Sequence, residues 1–145
     1  SAMFNTVAGK RVALFGAAFK AHTSDTRESP ALAVTRALLQ ERADVVITDP
    51  HALESACQDL GPLAERVMFE PDPYVAAAGA HAIALLTEWP QFQELDYERI
   101  YRSMVKPAFL FDGRNLLDHQ ALYDIGYNVY AIGKPALTHF VNNSA

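Results

Sequence analysis

Residues 11–29 read RVALFGAAFKAHTSDTRES, and this stretch decides the fold. It opens on RVALFG at 11–16, an apolar run of strand length without the polar–apolar alternation of a half-solvated strand. A polar loop follows, and then Ser29-Pro30, an N-cap ahead of a proline that suits the first helical position. From Pro30 the run PALAVTRALLQ sets Ala31, Val34 and Leu38 on one face at helical spacing. The first unit is therefore strand, long loop, helix.

Outward from it the unit repeats. Apolar runs recur at 44–49 (DVVITD), 67–70 (VMFE), 81–87 (HAIALLT), 108–112 (AFLFD) and 128–132 (NVYAI). Asp72-Pro73 repeats the cap-and-proline device, and Asp49-Pro50 is a third candidate. Asp96 caps the helix YERIYRSM, and Asp118 caps one that runs to Gly126, a C-terminal stop. Continuous apolar runs suit strands buried on both faces. The expectation is an α/β domain: a doubly wound, mainly parallel sheet of about six strands, Rossmann-like, with right-handed crossovers. Residues 1–9 read as a lead-in, 10–135 as one domain and 136–145 as a tail. Ser1-Ala2-Met3 reads as a tag-cleavage remnant and 141–145 as a frayed end.

Composition narrows the function. A chain of 145 residues, half of them hydrophobic, fits one domain with a real core. Seventeen carboxylates against twelve Lys and Arg give a net charge of −5, which argues against a general nucleic-acid binder. An anionic small ligand remains open, because it needs only two or three placed cations. The single cysteine, Cys57, excludes an internal disulfide framework and a cysteine-based zinc cluster. No apolar run reaches about 18 residues, so no membrane span is expected, and with no secretory signal the expectation is a cytoplasmic chain. The five histidines form no i, i+4 pair and no cluster with acids, so no metal site is expected. Without G-x-S-x-G an α/β-hydrolase is unsupported.

In an open parallel sheet, ligands bind beyond the carboxyl ends of the strands, at the switch point of strand order. Lys10, Arg11, Arg66 and Lys106 precede strands and lie at the wrong end, while Arg36, Arg42, Arg99 and Arg102 belong to helices. Lys20 and Arg27 in the first loop, Arg114 after the fifth strand and Lys134 after the sixth remain. That bias points to an anion, foremost a phosphate. The first loop also lacks something. A dinucleotide turn needs G-x-G-x-x-G so that the backbone approaches the pyrophosphate; here Gly16-Ala17-Ala18-Phe19-Lys20 has one glycine. The long run to Arg27 holds the helix away from the strand end, so side chains must bind the ligand. Asp49, the ribose-binding acid of a true dinucleotide domain, reads here as a helix cap.

Gly16-Ala17-Ala18-Phe19-Lys20 followed by Asp25-Thr26-Arg27-Glu28-Ser29 resembles the opening of the C-terminal, UDP-binding domain of the UDP-glucose/GDP-mannose dehydrogenase family. Asp49-Pro50, Thr87-Glu88-Trp89, Phe111-Asp112-Gly113-Arg114-Asn115, Gly126-Tyr127 and Ile132-Gly133-Lys134 fit in order, so the resemblance spans 10–135. It implies part of an NAD-dependent oxidoreductase that oxidises the C6 alcohol of UDP-glucose twice, to UDP-glucuronate. An N-terminal dinucleotide domain and a long dimerising helix complete the family enzyme, and substrate and NAD lie in the cleft between the end domains. Carried over by motif, Phe19, Lys20 and Arg114 bind the UDP-sugar, and Arg27 reaches toward the NAD pyrophosphate.

The resemblance also implies what is missing. The family's nucleophilic cysteine and assisting lysine come from segments absent here, so no catalytic residue is assigned and the chain is expected to be inactive alone. Cys57 sits in a helical context without a basic neighbour and reads as a packing residue. Without the dimerising helix the chain is expected to be a monomer and the parent enzyme a homo-oligomer.

Each assignment has a plainer reading beside it. Lys20 and Arg114 are otherwise loop charges paired with Asp25 or Asp112, Arg27 is held by Asp25 or Glu28, and Lys134 is solvated. Trp89 is either a base-stacking surface or a core anchor. A different sugar nucleotide, GDP-mannose or a UDP-N-acetylhexosamine, is the nearest functional alternative. A flavodoxin-like signalling module is the more distant one; it lacks the phosphorylated aspartate, since the third strand ends Phe69-Glu70-Pro71.

Overall fold

A computed structural model of the chain describes residues 7–27 and 29–140. The proposed tag remnant, the frayed end at 141–145 and Glu28 lie outside the described residues. Among the described residues six strands form, β1 (Arg11–Phe15), β2 (Asp44–Thr48), β3 (Val67–Phe69), β4 (Ala82–Leu85), β5 (Phe109–Asp112) and β6 (Asn128–Ala131). Five α-helices accompany them: α1 (Pro30–Gln40), α2 (Leu53–Leu60), α3 (Pro73–Ala77), α4 (Tyr97–Ser103) and α5 (His119–Ile125). The sheet order is β3-β2-β1-β4-β5-β6, with every pair parallel, as the repeating apolar runs required.

The caps read from sequence are built as expected at four helices. The Ser29 hydroxyl accepts the Ala31 N–H at 3.1 Å, and Asp72 accepts from Tyr74 at 2.9 Å. Asp96 takes the Arg99 N–H at 3.0 Å and Asp118 the Ala121 N–H at 3.1 Å. Each such bond satisfies an N–H that the first helical turn leaves without a partner, and is worth about 1 kcal/mol. At the other end of α5, Gly126 closes the helix at φ 136°, a backbone angle that disfavours any other residue.

Asp49-Pro50 departs from that pattern. α2 begins only at Leu53, and its N-cap is Ala52, without a side-chain bond. The Asp49 carboxylate holds the turn before the helix instead, and it is occupied elsewhere as well.

The core lies on both sides of the central strands. Leu14 of β1, Ile47 of β2, Ile83 of β4 and Leu110 of β5 are all buried. Burying each such side chain contributes roughly 1.5–3 kcal/mol. Right-handed crossovers send α1 and α2 over one face of β1–β3, and α3, α4 and α5 over the other face. β1 and β2 are therefore enclosed on both sides, as the continuous apolar runs suggested. β5 is not: Leu110 and Asp112 are buried while Phe109 and Phe111 are half-exposed. An apolar groove opens there, lined by Val34 and Leu38 of α1 and by Ala84, Phe109, Phe111 and Tyr130. The expectation of two-sided burial thus fails for β5, because each crossover after β3 returns on the same side.

Candidate functional site

The strand order reverses between β1 and β4, the switch point at whose carboxyl edge an open parallel sheet binds ligands. The β1 loop begins with Gly16 at φ 109°. A Cβ there would lie 2.5 Å from Cβ of Thr87 in the β4 loop, so only glycine lets the two loops approach. Thr87 then closes the contact, its hydroxyl donating to the Ala18 carbonyl at 2.8 Å.

Asp49 fixes this turn from behind. One carboxylate oxygen accepts the N–H groups of Ala17 (2.8 Å) and Ala18 (3.2 Å) and the indole N–H of Trp89 (3.0 Å). The other accepts His51 and Ala52 N–H, each at 2.8 Å. The carboxylate is buried and fully engaged, so it is more than the helix cap read from sequence. It also occupies the two backbone N–H groups that a dinucleotide turn would offer a pyrophosphate. Of the two readings of Trp89, the core anchor is the one found: the ring is 1% exposed. His22 and His51 pack on it, with ring centroids 5.5 and 5.0 Å away.

The rest of the loop closes on itself. The Phe19 N–H donates to the Asp25 carbonyl at 2.7 Å, and the buried Thr26 hydroxyl donates to Asp59 of α2. Phe19 and Lys20 are left on the outer edge of that closure, Phe19 with 48% of its surface exposed. Arg27 lies at the far end, its guanidinium 3.1 Å from Asp25. Hydrogen bonds from the Arg27 side chain and N–H hold the Asp25 carboxyl below its ordinary value.

Arg114 stands two residues past the end of β5. β5 ends in the buried Asp112, which accepts the N–H groups of Arg114 (3.1 Å) and Leu117 (2.8 Å). The His119 ring nitrogen lies 2.8 Å from the same carboxylate. Nothing in the sequence signalled this single pairing; α5 begins with His119, and its first turn folds back over the strand end. Burial pushes the Asp112 carboxyl up, but the bonds from Leu117, His119, Leu116 and Arg114 outweigh it and leave the group below its ordinary value. The Arg114 guanidinium itself pairs with neither Asp25 nor Asp112. It lies 2.5 Å from Glu88 of the β4 loop. Glu88 in turn accepts the Ala21 N–H at 3.5 Å, so the loops after β1, β4 and β5 meet at this one side chain.

Phe19 and Lys20 thus lie exposed in the β1 loop, which the Ala21–Glu88–Arg114 contacts join to the β5 loop, with Arg27 further along the β1 loop and Lys134 exposed near β6. Sequence reasoning missed Glu88 as the partner of Arg114; the only signal was its place three residues past β4. Cys57 is exposed, which corrects its reading as a packing residue. α2 turns Ala56 and Leu60 inward, and Cys57 lies one position, about 100° of helix, away from that side. Among the described residues no three His, Cys, Asp or Glu side chains come together as metal ligands. No helix of the described residues is long and apolar enough to cross a membrane.

Comparison with known proteins agrees with this fold. The UDP binding domain of the UDP-glucose/GDP-mannose dehydrogenase family matches residues 13–119. UDP-glucose 6-dehydrogenase 2 of Oryza sativa subsp. japonica is 47% identical, over 99% of this chain and 33% of its own length. The chain therefore spans about a third of such curated relatives. A UDP-glucose dehydrogenase from the hyperthermophilic archaeon Pyrobaculum islandicum superposes with a TM-score of 0.68 at 28% identity, over 87% of this chain and 27% of that one. A UDP-D-ManNAc dehydrogenase from Pyrococcus horikoshii gives the same TM-score at 26% identity, over 88% of this chain and 26% of that one.

Proposed function

The chain belongs to the UDP-glucose/GDP-mannose dehydrogenase family through its UDP-binding domain, and on that premise we propose that it binds the UDP-sugar of an NAD-dependent UDP-glucose 6-dehydrogenase. The parent enzyme oxidises the C6 alcohol of UDP-glucose twice, to UDP-glucuronate, in the cytoplasm. The catalytic cysteine and lysine belong to its other segments, and residues 10–135 supply the substrate side of the cleft. What supports this reading is the family match, together with the Ala21–Glu88–Arg114 contacts that join the loop bearing the exposed Phe19 and Lys20 to Arg114.

In this role Arg114 takes a phosphate through its planar fork of donors, and Lys20 supplies a second positive charge to phosphate or sugar oxygens. Phe19 gives an apolar surface beside them. Half-exposed side chains do the binding because the backbone donors of the turn face Asp49.

NAD does not fit this turn. Its Ala17 and Ala18 N–H groups are taken by an internal carboxylate, so neither faces a pyrophosphate. The cofactor's own domain lies elsewhere in the parent enzyme, and Arg27, paired with Asp25, is the one residue of this chain assigned to reach it.

An amide NMR titration with UDP-glucose, with GDP-mannose as control, tests the reading. Saturable shifts at Phe19, Lys20 and Arg114 with UDP-glucose alone are expected; no shifts at millimolar ligand would overturn it. The likeness to the UDP-D-ManNAc dehydrogenase at an equal TM-score favours a UDP-N-acetylhexosamine as the second reading. The same titration with UDP-N-acetylmannosamine separates the two.

A further inference from the structure

The Glu88–Arg114 pair carries a consequence for affinity, which rests on the proposed UDP site. Arg114 is one of the two cations of the proposed site, yet its guanidinium already has an anion 2.5 Å away. The pair is not sealed off: the side chains are 37% and 34% exposed, so an external anion reaches the same guanidinium without unfolding anything. Nor is it a well-made hydrogen bond. The Glu88 Oε2 atom that faces Arg114 is buried and lies outside hydrogen-bonding geometry with any donor. The other oxygen, Oε1, has only the long 3.5 Å contact from the Ala21 N–H. Glu88 is thus close enough to occupy Arg114, and few other partners hold its carboxylate there. By contrast, two other acids at strand ends are well engaged: Asp49 accepts five N–H groups, and Asp112 accepts from two backbone N–H groups beside the His119 ring.

We propose that Glu88 is an internal competitor for the phosphate of the ligand: its carboxylate occupies Arg114 and must give way when a phosphate arrives, so that Glu88 sets the affinity of the site. A carboxylate and a phosphate oxygen seek the same fork of guanidinium donors, and two anions sharing one partly exposed cation repel each other. Displacement moves Glu88 off Arg114 while Ala21, beside Lys20, shares the rearrangement. The first and fifth strand loops thereby respond together.

The sign of the effect distinguishes this role from a positioning role. A residue that merely aimed Arg114 would weaken binding when neutralised, whereas a competitor strengthens it. The experiment measures UDP and uridine dissociation constants by NMR titration for the parent chain, Glu88→Gln, Arg114→Ala and the double variant. A half-exposed ion pair is worth little, so Glu88→Gln is expected to tighten UDP about two- to fivefold. Uridine, which has no phosphate, is expected to bind the parent and Glu88→Gln equally, and the gain is expected to vanish when Arg114 is already Ala. The Arg114 Nε–H resonance should move in Glu88→Gln before any ligand is added, which reports the released guanidinium in a folded chain. Unchanged or weaker UDP binding in Glu88→Gln, or an equal gain with uridine, would overturn the competitor role while leaving the site standing. Parent and Arg114→Ala binding UDP equally, or no binding by either, would overturn the UDP site itself and the competitor with it.

Discussion

The indole N–H of Trp89 donates to the carboxylate of Asp49 at 3.0 Å, joining the loop after β4 to the end of β2 beneath the β1 turn. The same oxygen receives Ala17 and Ala18, and its twin receives His51 and Ala52. Asp49→Asn replaces one acceptor oxygen by an NH2 that faces N–H donors. With several buried donors left unpaired, the loss of stability should be about 3 kcal/mol, read from the denaturant midpoint. Trp89→Phe removes one donor but keeps most of the ring volume and should cost less than Asp49→Asn.

Gly16→Ala should be among the most damaging small changes in the chain. Its Cβ would lie 2.5 Å from that of Thr87, in a backbone at φ 109°. Overpacking and backbone strain together predict a loss of roughly 3 kcal/mol or more in a thermal melt. Thr87→Ala should not rescue it, because the colliding Thr87 Cβ stays. Thr87→Gly should rescue it partly, since the φ strain persists.

Asp112 makes stability depend on acid. Its carboxyl is held below the ordinary value by the bonds from Leu117, His119, Leu116 and Arg114, against the opposing effect of burial. A folded pKa below the unfolded value of about 3.9 adds stability above that pH, and the contribution is lost as pH falls through the folded value. Unfolding free energy should therefore fall between about pH 5 and pH 2. Asp112→Asn should be less stable at neutral pH but flatter across that window. Asp25→Asn should change the curve little, because that carboxylate is exposed and screened.

Cys57 should react with an exposed-thiol reagent such as DTNB in the folded chain, at one equivalent and without denaturant. Cys57→Ser should leave stability within about 0.5 kcal/mol, and UDP-glucose shifts unchanged. A slow reaction that needs urea would show the thiol to be packed.

Arg114→Ala should weaken UDP-glucose binding about tenfold or more, the loss of a charge-assisted contact to phosphate. Arg114→Lys should recover only part of it, because an ammonium lacks the guanidinium's planar fork.

Much of this was legible because it is local. Ser29, Asp72, Asp96 and Asp118 each reach an N–H two or three residues ahead, and the apolar runs needed no partner to be recognised as strands. The rim position of Lys20 and Arg114 followed from counting which residues trail a strand. The relationships that set the site's chemistry are not local. Arg114 finds Glu88 across 26 residues only because β4 and β5 are neighbours, and nothing in the sequence says that Asp112, two residues away, would be turned inward to bind backbone. Asp49 read as a cap because its reach to Trp89, 40 residues on, depends on the sheet order. The open face of β5 was hidden for the same reason: Phe109 and Phe111 look like core, and only the side on which the crossovers return leaves them half-exposed.

The inward carboxylate of Asp49 has a kinetic meaning. On the proposed UDP site, a turn clamped by its own protein is ordered before any ligand comes, so little of that turn has to be ordered on contact. Ligands that differ only in base or sugar should then arrive at similar rates, and discrimination should appear in how long each one stays.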